Sequence, residues 1–184
     1  MELLQAVNTV LPHLGEHVIT RVEGSKHPTV DLILAAIDRV RTRTLSEGLW
    51  FNSRTVTLPV NTDGRISTPT NTLAVYGIGC SVELQGEHLL DLDGGTTYFT
   101  SPIKVRLLRD VPFNHLPLNV ALYCTYEAAC EVYTQDFGYE KSYDVLQQLA
   151  LKAWVKVSQE NLRKEKFNSQ KRSRRRFTNA VRFR

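Results

Sequence analysis

No stretch of this 184-residue chain approaches the roughly 20 consecutive apolar residues that a bilayer-crossing helix needs. No membrane partner is therefore expected. The first residues lack a basic segment followed by an apolar run, so no signal peptide is expected either, and the chain reads as a soluble protein made in the cytoplasm. Cysteine is scarce. Cys80, Cys124 and Cys130 are odd in number and have no short repeated spacing, which excludes a disulfide framework and a zinc signature. Cys124 and Cys130 lie six apart in a helical stretch and do not share a face. All three are expected to be free thiols in a reducing compartment, buried as small apolar groups.

Residues that would carry chemistry are equally thin. His13, His17, His27, His88 and His115 supply no pair on one helical face, because Gly15 interrupts the helix between His13 and His17. Asp91 and Asp93 precede Gly94-Gly95. A carboxylate pair can hold a cation or transfer protons, but Asp-Gly is ordinary turn chemistry. Gly77-Ile78-Gly79 lacks the further glycine and the helix of a dinucleotide loop. There is no phosphate loop, no nucleophile elbow and no Cys/His pair at a recognisable spacing. No catalytic, cofactor-binding or metal-binding residue is assigned, and no enzymatic activity is expected.

What the chain does have is ordinary globular composition, 42% hydrophobic and 23% charged, enough for a packed core. Its net charge of +4 hides an asymmetry. Residues 163–184 carry ten Lys/Arg against one Asp/Glu, a net of +9, while residues 1–162 are net −5. An acidic body with a basic arm points to a grip on another molecule, or on an acidic patch of a neighbouring copy.

Periodicity divides the body into three. Leu3, Val7, Val10, Leu11 and Leu14 form the stripe of a first helix, stopped by Gly15. Pro28 opens a second, with Val30, Ile33, Leu34, Ile37 and Val40 inward and Asp31, Asp38, Arg39 and Arg41 pointing elsewhere. Gly48 ends it, and Trp50-Phe51 reads as a core anchor. From Arg54 the period becomes two. Val56, Leu58 and Val60 alternate with polar residues, and 72–78, 81–85, 87–91, 96–99 and 103–108 read as further strands. Asn61–Gly64, Gly86 and Asp93-Gly94-Gly95 are the turns. Helix returns near Leu116, with Val120, Tyr123, Cys124, Ala128 and Val132 inward. Ala121, Ala128 and Ala129 are small enough for another helix to approach closely, and such a face suits packing between copies of the chain. A last helix over 142–166 carries Val145, Leu146, Leu149, Ala153, Trp154 and Val157 in its stripe. The expected fold is α+β: a four-helix bundle from residues 1–52 and 112–166, an inserted antiparallel β subdomain of five or six strands over 53–111, and an extended arm over 167–184.

The arm is the strongest single feature. Lys171, Arg172, Arg174, Arg175, Arg176 and Phe177 are followed by Arg182, Phe183 and Arg184, with Phe167 ahead of them. Arg forks suit carboxylates and phosphates, and the rings suit apolar pockets or base stacking. The segment is too polar to pack alone and is expected to be disordered or extended in a free subunit. Its charge does not choose between an acidic protein surface and nucleic acid.

Ala6-Val7-Asn8, Leu14-Gly15-Glu16, Val22-Glu23-Gly24, the junction Gly48-Leu49-Trp50-Phe51-Asn52, then Leu108-Arg109-Asp110, Pro117 and Phe137-Gly138 follow one another along the chain. In this ordered series the whole chain resembles the tail tubular protein A family, the head-to-tail adaptors or gatekeepers of short-tailed phages. It implies a structural virion tail protein, assembled in the host cytoplasm as a dodecameric ring between the portal and the tail nozzle (a tail tubular protein B type), lining the channel that DNA crosses during ejection. It implies that the helical part and C-terminal segment face the portal and the β part faces the nozzle. A nucleic-acid-binding module using the arm is the alternative reading.

Overall fold

The computed structural model describes residues 1–24 and 27–165. Among these residues are four α-helices and five strands: α1 (Leu3–Val10), α2 (Pro28–Ser46), β1 (Ser53–Leu58), β2 (Thr72–Gly77), β3 (Val82–Gln85), β4 (His88–Asp91), β5 (Ile103–Arg109), α3 (Leu118–Phe137) and α4 (Lys141–Lys164). The fold is α+β.

The first helical stripe runs into a tight 3-10 turn, Leu11–Leu14, ended by Gly15 at φ 76°, a conformation open to glycine without a Cβ penalty. Pro28 occupies the first turn of α2, where its missing N–H has no partner to lose. α3 begins directly after Pro117. It is the central element, with α1, α2 and α4 each packed against it. Val7, Val10, Leu11, Ile33, Ile37, Val40, Val120, Cys124 and Leu146 are buried in one cluster. Burying a side chain such as Leu or Ile contributes about 1.5–3 kcal/mol, so this cluster holds the helices together.

The strands form a second, separate cluster. β5 lies between β1 and β2 in a three-stranded antiparallel sheet, and β3 pairs with β4 in a two-stranded hairpin. Leu58, Ile66, Val75, Val82, Leu89, Val105 and Leu107 are buried between them.

Several expectations need correction. Residues 96–99 form no strand; Thr96 and Tyr98 make only isolated bridges, to Asp91 and Arg65. The run lacks a continuous partner, so its alternation is a local one. Val145 is 54% exposed, while Leu146, Ala150, Ala153 and Val157 are buried. Half-buried Tyr143 and Trp154 pack beside these residues on the helical core, so the inward stripe runs through Leu146 and leaves its neighbour Val145 outside. Arg41 does not point away: its side chain is only 12% exposed. Ala121, Ala128 and Ala129 are buried within the chain, so their small size serves α3's own neighbours.

Candidate functional site: the neck between helices and sheet

The chain passes from helical body to sheet at Gly48–Ser53 and returns at Arg109–Val111. Chain folding brings these two crossings side by side. Asn52, fully buried, joins them. Its Nδ2 donates to Leu45 O at 2.8 Å, in the last turn of α2, and to Arg109 O at 3.2 Å. The Asn52 backbone carbonyl accepts from Arg109 N–H at 2.8 Å. The Arg109 guanidinium returns a bond to Phe51 O at 3.2 Å. A buried amide offsets its desolvation only where it is bonded; Nδ2 does so through backbone 7 and 57 residues away, while Oδ1 is buried with no partner among the described residues.

Gly48 explains why the turn is tight. Its φ is 73°, and a Cβ there would lie 3.0 Å from Leu108 Cδ2 and 3.1 Å from Arg106 Nη2. The glycine lets β5 come against the end of α2. Trp50 and Phe51 stack edge to face, centroids 5.2 Å apart at 75°, and both pack on the helical core. The expectation of a core anchor matches this placement.

Arg41 forms the second brace. It donates to Asp38 at 2.8 Å, to Val111 O at 2.9 Å and to Asp110. Burial opposes its charged form, but the bonds to Asp38 and Asp110 outweigh that, and its pKa lies above the ordinary value. Arg41 was missed from the sequence because it falls at the rim of the apolar stripe. The fact that Asp110 lies on the return crossing was its only signal.

α4 provides the third brace. Trp50 N–H donates to Asn161 Oδ1 at 2.9 Å. Arg106 donates to Gly48 O at 3.0 Å and to Ser53 Oγ at 2.6 Å, and lies 4.0 Å from the Glu165 carboxylate. Asn161 and Glu165 thus tie the end of α4 to the neck. The arm residues Lys171, Arg172, Arg174, Arg175, Arg176, Phe177, Arg182 and Phe183 lie outside the described residues.

Other quoted residues have local duties. The Asn8 side chain exchanges two 2.9 Å bonds with the Ile19 backbone, pinning the loop after α1. Glu16 accepts from Thr29 Oγ1 at 2.8 Å and stands 3.6 Å from His27. Asp91 accepts Asp93 N–H at 3.1 Å, so this carboxylate serves its own turn. Burial pushes the Cys124 and Cys130 thiols up to about 11, whereas Cys80 is half-buried. No group of three or more metal-ligating side chains gathers among the described residues.

The arrangement can carry load: both crossings of the neck and the end of the last helix are cross-bonded. Two comparisons bear on its use. A family model described as tail tubular protein matches residues 4–167. The tail tubular protein A of Klebsiella phage KP34 is 32% identical over 173 residues, covering 93% of this chain and 92% of that one.

Proposed function

The chain belongs to the tail tubular protein family, and from that premise we propose that it is a non-enzymatic structural subunit of a phage tail. In this reading it forms a ring, dodecameric by the family resemblance, that joins the portal to the tail nozzle and surrounds the path of DNA. The observation that carries the reading is the family match across nearly all of the folded body. The braced neck supports it, because a joint between two other rings must hold its two lobes in fixed relation.

Within the proposed ring, the four helices act as one bundle centred on α3 and meet the portal, and the inserted 53–111 region meets the nozzle. Contacts between copies use exposed apolar side chains rather than the buried alanines. Leu151 at 61%, Val155 at 45% and Leu162 at 54% exposure fall on one side of α4 and suit such a contact. In the 53–111 region, Tyr76, Ile78, Leu92 and Tyr98 are exposed and suit a docking surface.

The Arg172–Phe177 stretch inserts into or wraps the portal ring. Repetition of the same contact around a ring strengthens such a grip through avidity. Deleting residues 168–184 and measuring attachment to the portal tests this. Lost attachment is expected; undiminished attachment rejects it.

One observation favours a second reading. The family match stops at residue 167, ahead of the basic run. If the arm grips phosphates, affinity for double-stranded DNA falls steeply with salt, with a log–log slope near the number of phosphates neutralised. Titrations at two salt concentrations separate the two readings.

A further inference from the structure

The chain leaves one face of α4 uncovered. Leu151, Val155 and Leu162 are exposed. At 3.6 residues per turn they fall within about 40° of one another around the helix, opposite Leu146, Ala150, Ala153 and Val157, which are buried. Lys152, Lys156 and Arg163 stand along one flank of this stripe, all exposed. None of the three forms an ion pair among the described residues.

A second face has the opposite charge. Leu3, Leu34, Ile37 and Phe113 line an apolar groove of about 450 Å³ between α1, α2 and the return crossing, with Asp38 and Asp110 also lining it. Leu3 and Leu34 are only half-buried, so part of this apolar surface meets water. The Arg41 side chain is 12% exposed, whereas those of Asp38 and Asp110 are 69% and 45% exposed. The charge turned outward is negative. Asp31 extends it. Asp31 lies seven residues before Asp38, on the same line of α2, and is exposed, without an ion pair among the described residues.

The two faces agree in spacing as well as in sign. Asp31 and Asp38 are two helical turns apart, and so are Lys156 and Arg163, about 10 Å in each case. The two faces share no residue, so one chain carries both halves of the match. Two α4 faces laid on each other would meet no such row of carboxylates.

We propose that α4 of one copy seats its outer face in the α1–α2 groove of the next. Leu151, Val155 and Leu162 cover Leu3 and Leu34, and Lys156 and Arg163 stand opposite Asp31 and Asp38. Exposed ion pairs add little by themselves. The apolar contact supplies the hold, and the charged rows fix register and exclude other pairings. Each copy then turns a different face to each neighbour, the head-to-tail contact from which rings are built. The proposal rests on the ring reading given under Proposed function and adds to it which surfaces meet.

Zero-length cross-linking tests it. An equal mixture of unlabelled and isotope-labelled full-length chain, alone and with portal, is treated with a carbodiimide, which joins a lysine amine to a carboxylate in contact. Links from Lys152 or Lys156 to Asp31, Asp38 or Asp110 are expected, joining labelled to unlabelled chains. A full-length variant carrying Leu151→Glu and Val155→Glu should lose these links and associate about tenfold or more weakly. Its thermal unfolding as a single chain should be unchanged, because both side chains are exposed there. Links between copies that join only other surfaces would overturn the proposal and leave the ring reading standing. So would association of a folded variant at undiminished strength. A chain that stays single by mass, alone and with portal, would overturn the ring reading and this proposal with it.

Discussion

The backbone N–H of Trp50 donates to the side-chain oxygen of Asn161 at 2.9 Å, across 111 residues of sequence. The bond fastens the last turns of α4 to the neck, so the segment that leads into the arm cannot swing freely of the sheet. Removing the acceptor leaves a part-buried donor unpaired, which costs about 1–3 kcal/mol. Asn161→Ala should lower unfolding free energy by that amount in denaturant titration, and Asn161→Asp, which keeps an acceptor oxygen, should recover most of it. Equal stability of all three chains would remove this brace from the account.

Asn52 makes a stronger prediction. It is fully buried and bonds to backbone on both sides of the neck. Asn52→Ala strands Leu45 O and Arg109 O, for a loss of about 2–4 kcal/mol. Asn52→Asp should be worse, because it replaces a donor with a buried charge facing two carbonyls. Thermal unfolding of the two variants checks the order.

At Gly48 the expected loss comes from backbone and space together. Left-handed backbone costs a residue with a Cβ about 1–2 kcal/mol, and Leu108 would have to yield as well. Gly48→Ala should therefore destabilise by about 2 kcal/mol or more, whereas Gly15→Ala, with nothing within 4 Å of its Cβ, should cost only the backbone part. Denaturant midpoints of the two variants compare them directly.

The thiols give a pH prediction. Cys124 and Cys130 titrate near 11 in the folded chain against 9.0 for the free group. The unfolded chain thus loses these protons first as pH rises. Their contribution is fully present below pH 9 and is lost progressively between pH 9 and about pH 11. At neutral pH a thiol reagent should modify Cys80 in the native protein and reach Cys124 and Cys130 only after unfolding. Modification of all three at one rate in the native state would contradict their burial.

The helix punctuation was legible because its causes are local. Pro28 and Gly15 act through their own backbone, and their helix boundaries stand where the sequence puts them. The neck was legible only as a string of residues. Asn52 to Arg109, Trp50 to Asn161 and Arg41 to Asp110 join positions 57 to 111 apart, and no periodicity reports which distant carbonyl a side chain will meet. α4 shows another limit. Val145 and Leu146 are both apolar and adjacent, so the pattern alone did not say which one faces α3, and only packing against that helix settles it. The run 96–99 has the alternation of a strand, yet pairing needs a continuous partner, which alternation does not supply.

The assembly role is decided by mass. Purified full-length protein should be weighed in solution alone, with portal, and with a DNA duplex in place of portal. The account predicts a discrete complex with the portal whose added mass is a whole ring of chains, and no complex of comparable affinity with DNA at physiological salt. A portal of unchanged mass, beside a saturable and salt-sensitive complex with DNA, would contradict it.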